Sequence, residues 1–155
     1  MKVEYVKPFA QATYEILKDI LNVPITRGQL SLIKTPVSIE GVAVVIGLTG
    51  EVEGRVLFDM GIDTAKKIAE AMNYEELESF DSLARATISE LGNIITGRAV
   101  TLLNDGGFKF NITPPLLIVG EKMETSDQLH ETLVIPLNTE YGTFNVNVAL
   151  KNGQN

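Results

Sequence analysis

Apolar residues recur at helical spacing from Phe9 to Leu21. Phe9, Ala12, Ile16, Leu17, Ile20 and Leu21 share one side, and Gln11, Glu15, Lys18 and Asp19 take the other. Pro8 suits a first turn, where its missing N–H costs nothing. Asn22 and Pro24 close the segment. From Gly28 to Met60 the pattern is strand-like. Val42, Val44, Ile46 and Leu48 alternate with Ala43, Val45 and Gly47, so both faces of this strand are expected to be buried. Thr49-Gly50 reads as a turn. The return strand sets Val52, Val56 and Phe58 against Glu51, Glu53, Arg55 and Asp59, one dry face and one wet.

Helical spacing resumes from Asp63, a candidate N-cap, to Met72, and breaks at Asn73-Tyr74-Glu75-Glu76. A longer helix is predicted from Ser82 to Leu103, capped by Asp81 and ended by Asn104-Asp105-Gly106-Gly107. Strands follow. Phe108 to Val119 is interrupted by Pro114-Pro115, which confines that part to an edge or a bend. Leu133 to Leu137 is short and apolar. Phe144, Val146, Val148 and Leu150 alternate with Thr143, Asn145, Asn147 and Ala149, a half-buried strand. The order helix, strands, two helices, strands predicts an α+β fold: a mostly antiparallel sheet with helices packed on one face. No linker divides it, so residues 1–155 are expected to form a single domain, with 151–155 as a frayed tail. The helix-then-strands pattern occurs about twice without clear residue identity between the halves.

Composition narrows the function. The 155 residues suffice for one core, and 45% hydrophobic with 21% charged residues is ordinary for a globular chain. A net charge of −7 disfavours nucleic acid and anionic lipid as partners. The absence of cysteine excludes disulfides, thiolate metal sites and thiol nucleophiles. One histidine, His130, leaves no cluster for zinc and argues against a Ser-His-Asp triad. The N-terminus lacks a signal peptide's apolar core, and Val42 to Leu48 is too short to span a bilayer, so a cytoplasmic protein is expected.

The chemistry-bearing segment is Ser89-Glu90-Leu91-Gly92-Asn93-Ile94-Ile95-Thr96-Gly97. At about 100° per residue, Ala84, Ile88, Leu91, Ile95 and Leu102 form a stripe for the core. Glu90, Asn93 and Gly97 fall nearly opposite, joined one turn earlier by Ala86. A carboxylate and an amide three residues apart meet on the helix surface. Ala86 and Gly97 are too small to cover them and would form a contact surface for a partner. Each glycine in a helix interior costs roughly 1 kcal/mol relative to Ala. Close approach of a partner would explain Gly97, and close packing of a neighbouring element Gly92. By spacing alone, a Glu and an Asn three apart on an exposed helix are most often solvated residues.

The segment Ser89-Glu90-Leu91-Gly92-Asn93 with Gly97, followed by Ile112-Thr113-Pro114-Pro115 and Gly120, resembles the CheC/CheX family of chemotaxis phosphatases. The hairpin Ile46 to Gly54 resembles it too, and the likeness runs from about Phe9 to Val148, with the single motif of the CheX branch. The resemblance implies a substrate, the aspartyl phosphate of a CheY-like receiver domain. It implies that Asn93 orients the attacking water and that Glu90 pairs with the receiver's lysine. It implies no cofactor of the chain's own, Mg²⁺ on the receiver, and a homodimer. Some members carry a second Glu-x-x-Asn on the first helix. Here Glu15 is followed by Lys18, so that helix reads as structural. The alternative is a non-enzymatic receiver-binding or flagellar-switch module of the same fold.

Other residues carry less. Arg98 reads as a snorkelling or locally ion-paired residue, and His130 as an exposed loop residue. Glu51 and Glu53 lie on one strand face rather than across a cleft, which disfavours a glycosidase pair. Thr49 to Gly54 lacks the Gly-Lys-Ser/Thr ending of a phosphate loop.

Overall fold

Helix α1 (Val3–Leu21) starts six residues before the predicted Phe9 and holds Pro8 in its interior. Packing explains the extension. Tyr5 and Val6 are buried, and the Tyr5 ring meets Phe108 and Phe110 edge-on at 5.1 and 5.4 Å. These contacts offset the one helical hydrogen bond that Pro8 removes. The helix closes on Asn22 in the left-handed conformation, whose N–H donates to the Lys18 carbonyl.

A computed structural model describes residues 2–34, 36–125 and 131–151. After α1 come β1 (Thr26–Arg27), β2 (Ser31–Lys34), β3 (Ser38–Ile39), β4 (Val42–Gly50) and β5 (Gly54–Met60). Helices α2 (Ile62–Asn73) and α3 (Ser82–Asp105) follow. The chain ends with β6 (Phe110–Ile112), β7 (Leu116–Val119), β8 (Met123–Glu124), β9 (Glu131–Thr139) and β10 (Gly142–Leu150). His130 and residues 152–155 of the expected tail lie outside the described residues. Lys151 is tied down: its N–H donates to the Glu53 carbonyl at 2.7 Å.

The main sheet runs β1-β9-β10-β5-β4-β6, with β2 also on the β9 edge and β7 also on the β4 edge. Every pairing among the described residues is antiparallel. The three helices pack on one face over a core that includes Phe9, Leu17, Phe58, Ile88, Leu91, Ile95 and Phe144. The predicted fold class holds. No helix among the described residues is long and apolar enough to cross a membrane.

The topology also has a two-fold plan. With α2 set aside as the connection between them, each half runs helix, two short edge strands, a flap strand and a hairpin. The edge strands of each half pair with the other half's hairpin, β1 and β2 on β9, β6 and β7 on β4. The two hairpins meet at β5–β10, and the flaps at β3–β8. The twofold sequence pattern therefore corresponds to interlocked halves.

Several local expectations need correction. The Thr49-Gly50 turn lies two residues later, because both residues still pair with Asn111 and Phe110 of β6. The wet face of β5 is dry: Arg55 and Asp59 are buried, because the β3–β8 flap lies over that side with Ile39, Ala43 and Leu57. Asn147 and Ala149 of β10 are buried for the same lack of an open face, and the Asn147 amide donates to the Leu57 carbonyl at 3.1 Å. Gly61, not Asp63, occupies the α2 N-cap. Asp63 sits in the first turn, where its charge faces the helix dipole. The bend at Pro114-Pro115 is a bulge. Leu48 faces Ile112 and Val45 faces Leu116, so Thr113, Pro114 and Pro115 oppose only Gly47 and Ile46. Gly47 fastens it, donating its N–H to Thr113 Oγ1 at 2.8 Å and accepting from Thr113 N–H at 3.1 Å.

Asp59 makes the fold pH-sensitive. Its Oδ1 accepts the Glu40 N–H at 2.9 Å and so ties the flap to the sheet. Burial pushes the carboxyl up from 3.8 to about 6, with the Glu40 charge adding to the shift, while bonds from the Glu40 N–H and Asn145 amide only partly offset it. The folded state thus holds this proton more tightly than the unfolded chain. Stability from this group is present below the unfolded value and declines as pH rises from 3.8 through about 6. Asp59→Asn keeps the acceptor and removes the charge. It should melt several degrees higher than the parent at pH 7.5, with the gap closing as the pH falls toward 4. Melting curves at both pH values check this; equal gaps at both would refute it.

Candidate functional site

Helix α3 is fixed at both ends. Asp81 Oδ1 accepts the Ala84 N–H at 2.9 Å, the cap the sequence predicts. At the far end Phe108 N–H donates to the Leu103 carbonyl at 2.9 Å, and Asn104 Oδ1 accepts from Phe110 N–H at 3.2 Å. Neighbouring helices hold its sides. The Asn73 amide donates to Thr87 Oγ1 at 2.9 Å, and Arg98 meets Glu15 at 3.5 Å across the α1–α3 contact. Arg98 is thus an ion-paired surface residue. Glu15, the would-be motif acid of α1, is its partner, consistent with a structural role for that helix. At these exposures the pair adds little stability.

The buried stripe of α3 comprises Ala84, Thr87, Ile88, Leu91, Gly92, Ile95, Thr96, Ala99 and Leu103. Leu103 takes the core position predicted for Leu102, which is only half-buried, and Ala99 extends the stripe between Ile95 and Leu103. Gly92 lies on the sheet: a Cβ there would stand 2.7 Å from Val44 Cγ1. Its glycine is explained by close packing, as the sequence suggests.

The opposite face carries the remaining site residues together. Ala86 and Glu90 are exposed, and Asn93 and Gly97 half-buried. Three residues apart on a helix, the Glu90 and Asn93 side chains are neighbours, with Cβ atoms about 5–6 Å apart. Among the described residues, no hydrogen bond or ion pair engages either side chain. A Cβ at Gly97 would meet nothing within 4 Å. The face thus presents a free carboxylate and a free amide on a rigid rod with low shoulders. An amide can both donate to and accept from one water, and it needs no pKa shift to do so.

The structure adds two apolar residues to this face. Leu83 is 51% exposed and Ile94 42% exposed. With Ala86, Glu90, Asn93 and Gly97 they lie within about 60° of Glu90 on the helical wheel. The signal that identifies them is their spacing: Leu83, Glu90 and Ile94 stand at i, i+7 and i+11 on a helix that already has a complete apolar stripe on its other side.

An antiparallel sheet layered with helices on one face is an arrangement this chain shares with solved CheC-like and CheX proteins. A CheC-like superfamily protein from Shewanella sp. PV-4 superimposes with a TM-score of 0.87 at 25% identity, over 97% of this chain and 99% of that one. CheX of Borrelia burgdorferi, solved in a CheX–CheY–BeF3–Mg²⁺ complex, gives 0.84 at 39% identity, over 97% of this chain and 99% of that one. The CheY-P phosphatase CheX of Thermotoga maritima is 30% identical over 125 residues, which are 80% of this chain and 81% of that protein. The family model described as chemotaxis phosphatase CheX matches residues 42–138. The chain belongs to the chemotaxis phosphatase CheX family.

Proposed function

We propose that this chain hydrolyses the aspartyl phosphate of a CheY-like receiver domain, with Asn93 orienting the water and Glu90 fixing the docked partner. The observation that carries the reading is the pair of unengaged side chains, Glu90 and Asn93, on the outward face of α3. The Borrelia burgdorferi relative in complex with CheY supports the choice of partner.

Asn93 holds a water in line with the phosphorus. The water oxygen forms the new bond to phosphorus as the bond to the receiver's aspartate oxygen breaks. The aspartate leaves as a carboxylate, and inorganic phosphate carries the water oxygen away. Charge on the phosphoryl oxygens is balanced by the receiver's own Mg²⁺ and lysine, so this chain supplies no metal ligand. Glu90 engages that lysine and sets the register. Catalysis is positioning, as when a glutamine orients water in a GTPase. No phosphorylated form of this chain arises.

Ala86 and Gly97 belong to the contact surface, because larger side chains there would hold the partner away. A homodimer offering one such face per protomer, in the cytoplasm where its receiver resides, belongs to the same proposal. The test is the decay of a phosphorylated receiver with Mg²⁺, with and without this chain. Faster decay that is lost in Glu90→Ala supports the reading. Unchanged decay despite binding would instead assign a non-enzymatic receiver-binding module.

A further inference from the structure

We infer that Leu83 and Ile94 are the apolar anchors that hold the receiver on α3, on either side of the polar pair. This rests on the function proposed above. An exposed leucine and isoleucine gain nothing from water, and single ones on a surface need no explanation. These two stand on the same helix face as Glu90 and Asn93, 51% and 42% exposed. They lie 11 residues apart, roughly 16 Å along the axis at 1.5 Å per residue. Ala86 lies between them and Gly97 beyond Ile94, so the ridge is low wherever it is not apolar or carrying the motif.

The face has one consistent occupant. Glu90 carries a charge that nothing among the described residues balances, and the amide of Asn93 is free. A second copy of this acidic chain on the same face would bury two Glu90 carboxylates against each other. A receiver offering a lysine and a phosphoryl group satisfies both side chains and covers both apolar residues. Glu90 sets the register of docking, and a charge pair across an interface gives orientation and specificity more than raw affinity. Desolvated apolar anchors near the centre of an interface supply most of the affinity. Leu83 and Ile94 are therefore assigned to affinity, and Asn93 to the chemical step.

The experiment varies the phosphorylated receiver over this chain, with Mg²⁺, for the parent, Leu83→Gln, Ile94→Gln, the double variant and Asn93→Ala. Glutamine keeps helix propensity and both sites are solvent-facing, so the melting temperatures should stay close to the parent's. Each single variant should raise KM by about ten-fold, and the double variant by more, with kcat near the parent's. Asn93→Ala should do the reverse and lower kcat. Anchor variants with the parent's KM, alongside an inactive Asn93→Ala, would overturn the anchor role and leave the proposed function standing. A parent chain that does not accelerate decay would overturn both. Light scattering is the second readout: variants that change the oligomeric state would assign the face to self-association and overturn the inference.

Discussion

Asn93→Ala should reduce the accelerated decay of the phosphorylated receiver by about 10²-fold or more, while the chain stays folded and still binds. The fold does not use this side chain. It faces outward from α3, and no other described residue hydrogen-bonds to it. Truncation there should change stability by no more than about 0.5 kcal/mol, and alanine is the better helix former. On the proposed function the loss falls on the reaction, since a water no longer held in line must find that geometry by chance. Two further variants separate positioning from charge. Asn93→Asp keeps the size but loses the donor and adds negative charge beside a phosphoryl group, so it should be as inactive as alanine. Asn93→Gln keeps the amide one methylene further out and should retain a fraction of the activity. Phosphate release measured with saturating chain, together with affinity for a BeF3-loaded receiver, checks all three. An Asn93→Ala chain that works at the parent rate would remove the amide from the mechanism.

The shared face of the candidate site residues is more legible in the sequence than the details of the fold are, for a physical reason. Helix α3 is long and capped by a side chain, and its periodicity separates an inward from an outward face. Helical spacing alone therefore places Glu90, Asn93, Ala86 and Gly97 together. Strand faces are harder. Whether Arg55 and Asp59 meet water depends on the β3–β8 flap, which is made of two-residue strands from distant parts of the chain. No local pattern announces that pairing. The start of α1 is hidden because Pro8 is a good first-turn residue. What extends the helix is the packing of Tyr5 on Phe108 and Phe110, about a hundred positions away. Gly50 reads as a turn because its conformation is a glycine's, at φ 119°, yet it still pairs within the sheet. Leu83 and Ile94 are inconspicuous because their exposure depends on what packs around α3. Helical spacing puts them on the outward face, but apolar residues are expected to find cover.

The two glycines of α3 should respond in opposite directions to the same substitution. Helix propensity favours Ala over Gly by about 1 kcal/mol at either position. At Gly97 a methyl would meet nothing within 4 Å, so Gly97→Ala should melt higher. At Gly92 the methyl would stand 2.7 Å from Val44 Cγ1, 3.2 Å from Val44 Cβ and 3.4 Å from Phe58 Cδ2. Val44 is fully buried and β-branched, so it has few rotamers with which to yield. The helix must lift from β4 instead. Gly92→Ala should therefore lose about 1–3 kcal/mol despite its better propensity, and Gly92→Val more. Function should not follow stability. Lifting α3 at Gly92 displaces the adjacent Asn93, so the destabilised variant should also be slow. If α3 presents the proposed docking face, the stabilised Gly97→Ala should lose affinity for the receiver, because its methyl rises from that face. Thermal melts and receiver titrations on both variants decide the matter. A Gly97→Ala chain that melts higher yet binds as the parent does would take Gly97 out of the contact surface. One that melts higher and binds worse would show that the glycine's cost to the helix is offset in recognition.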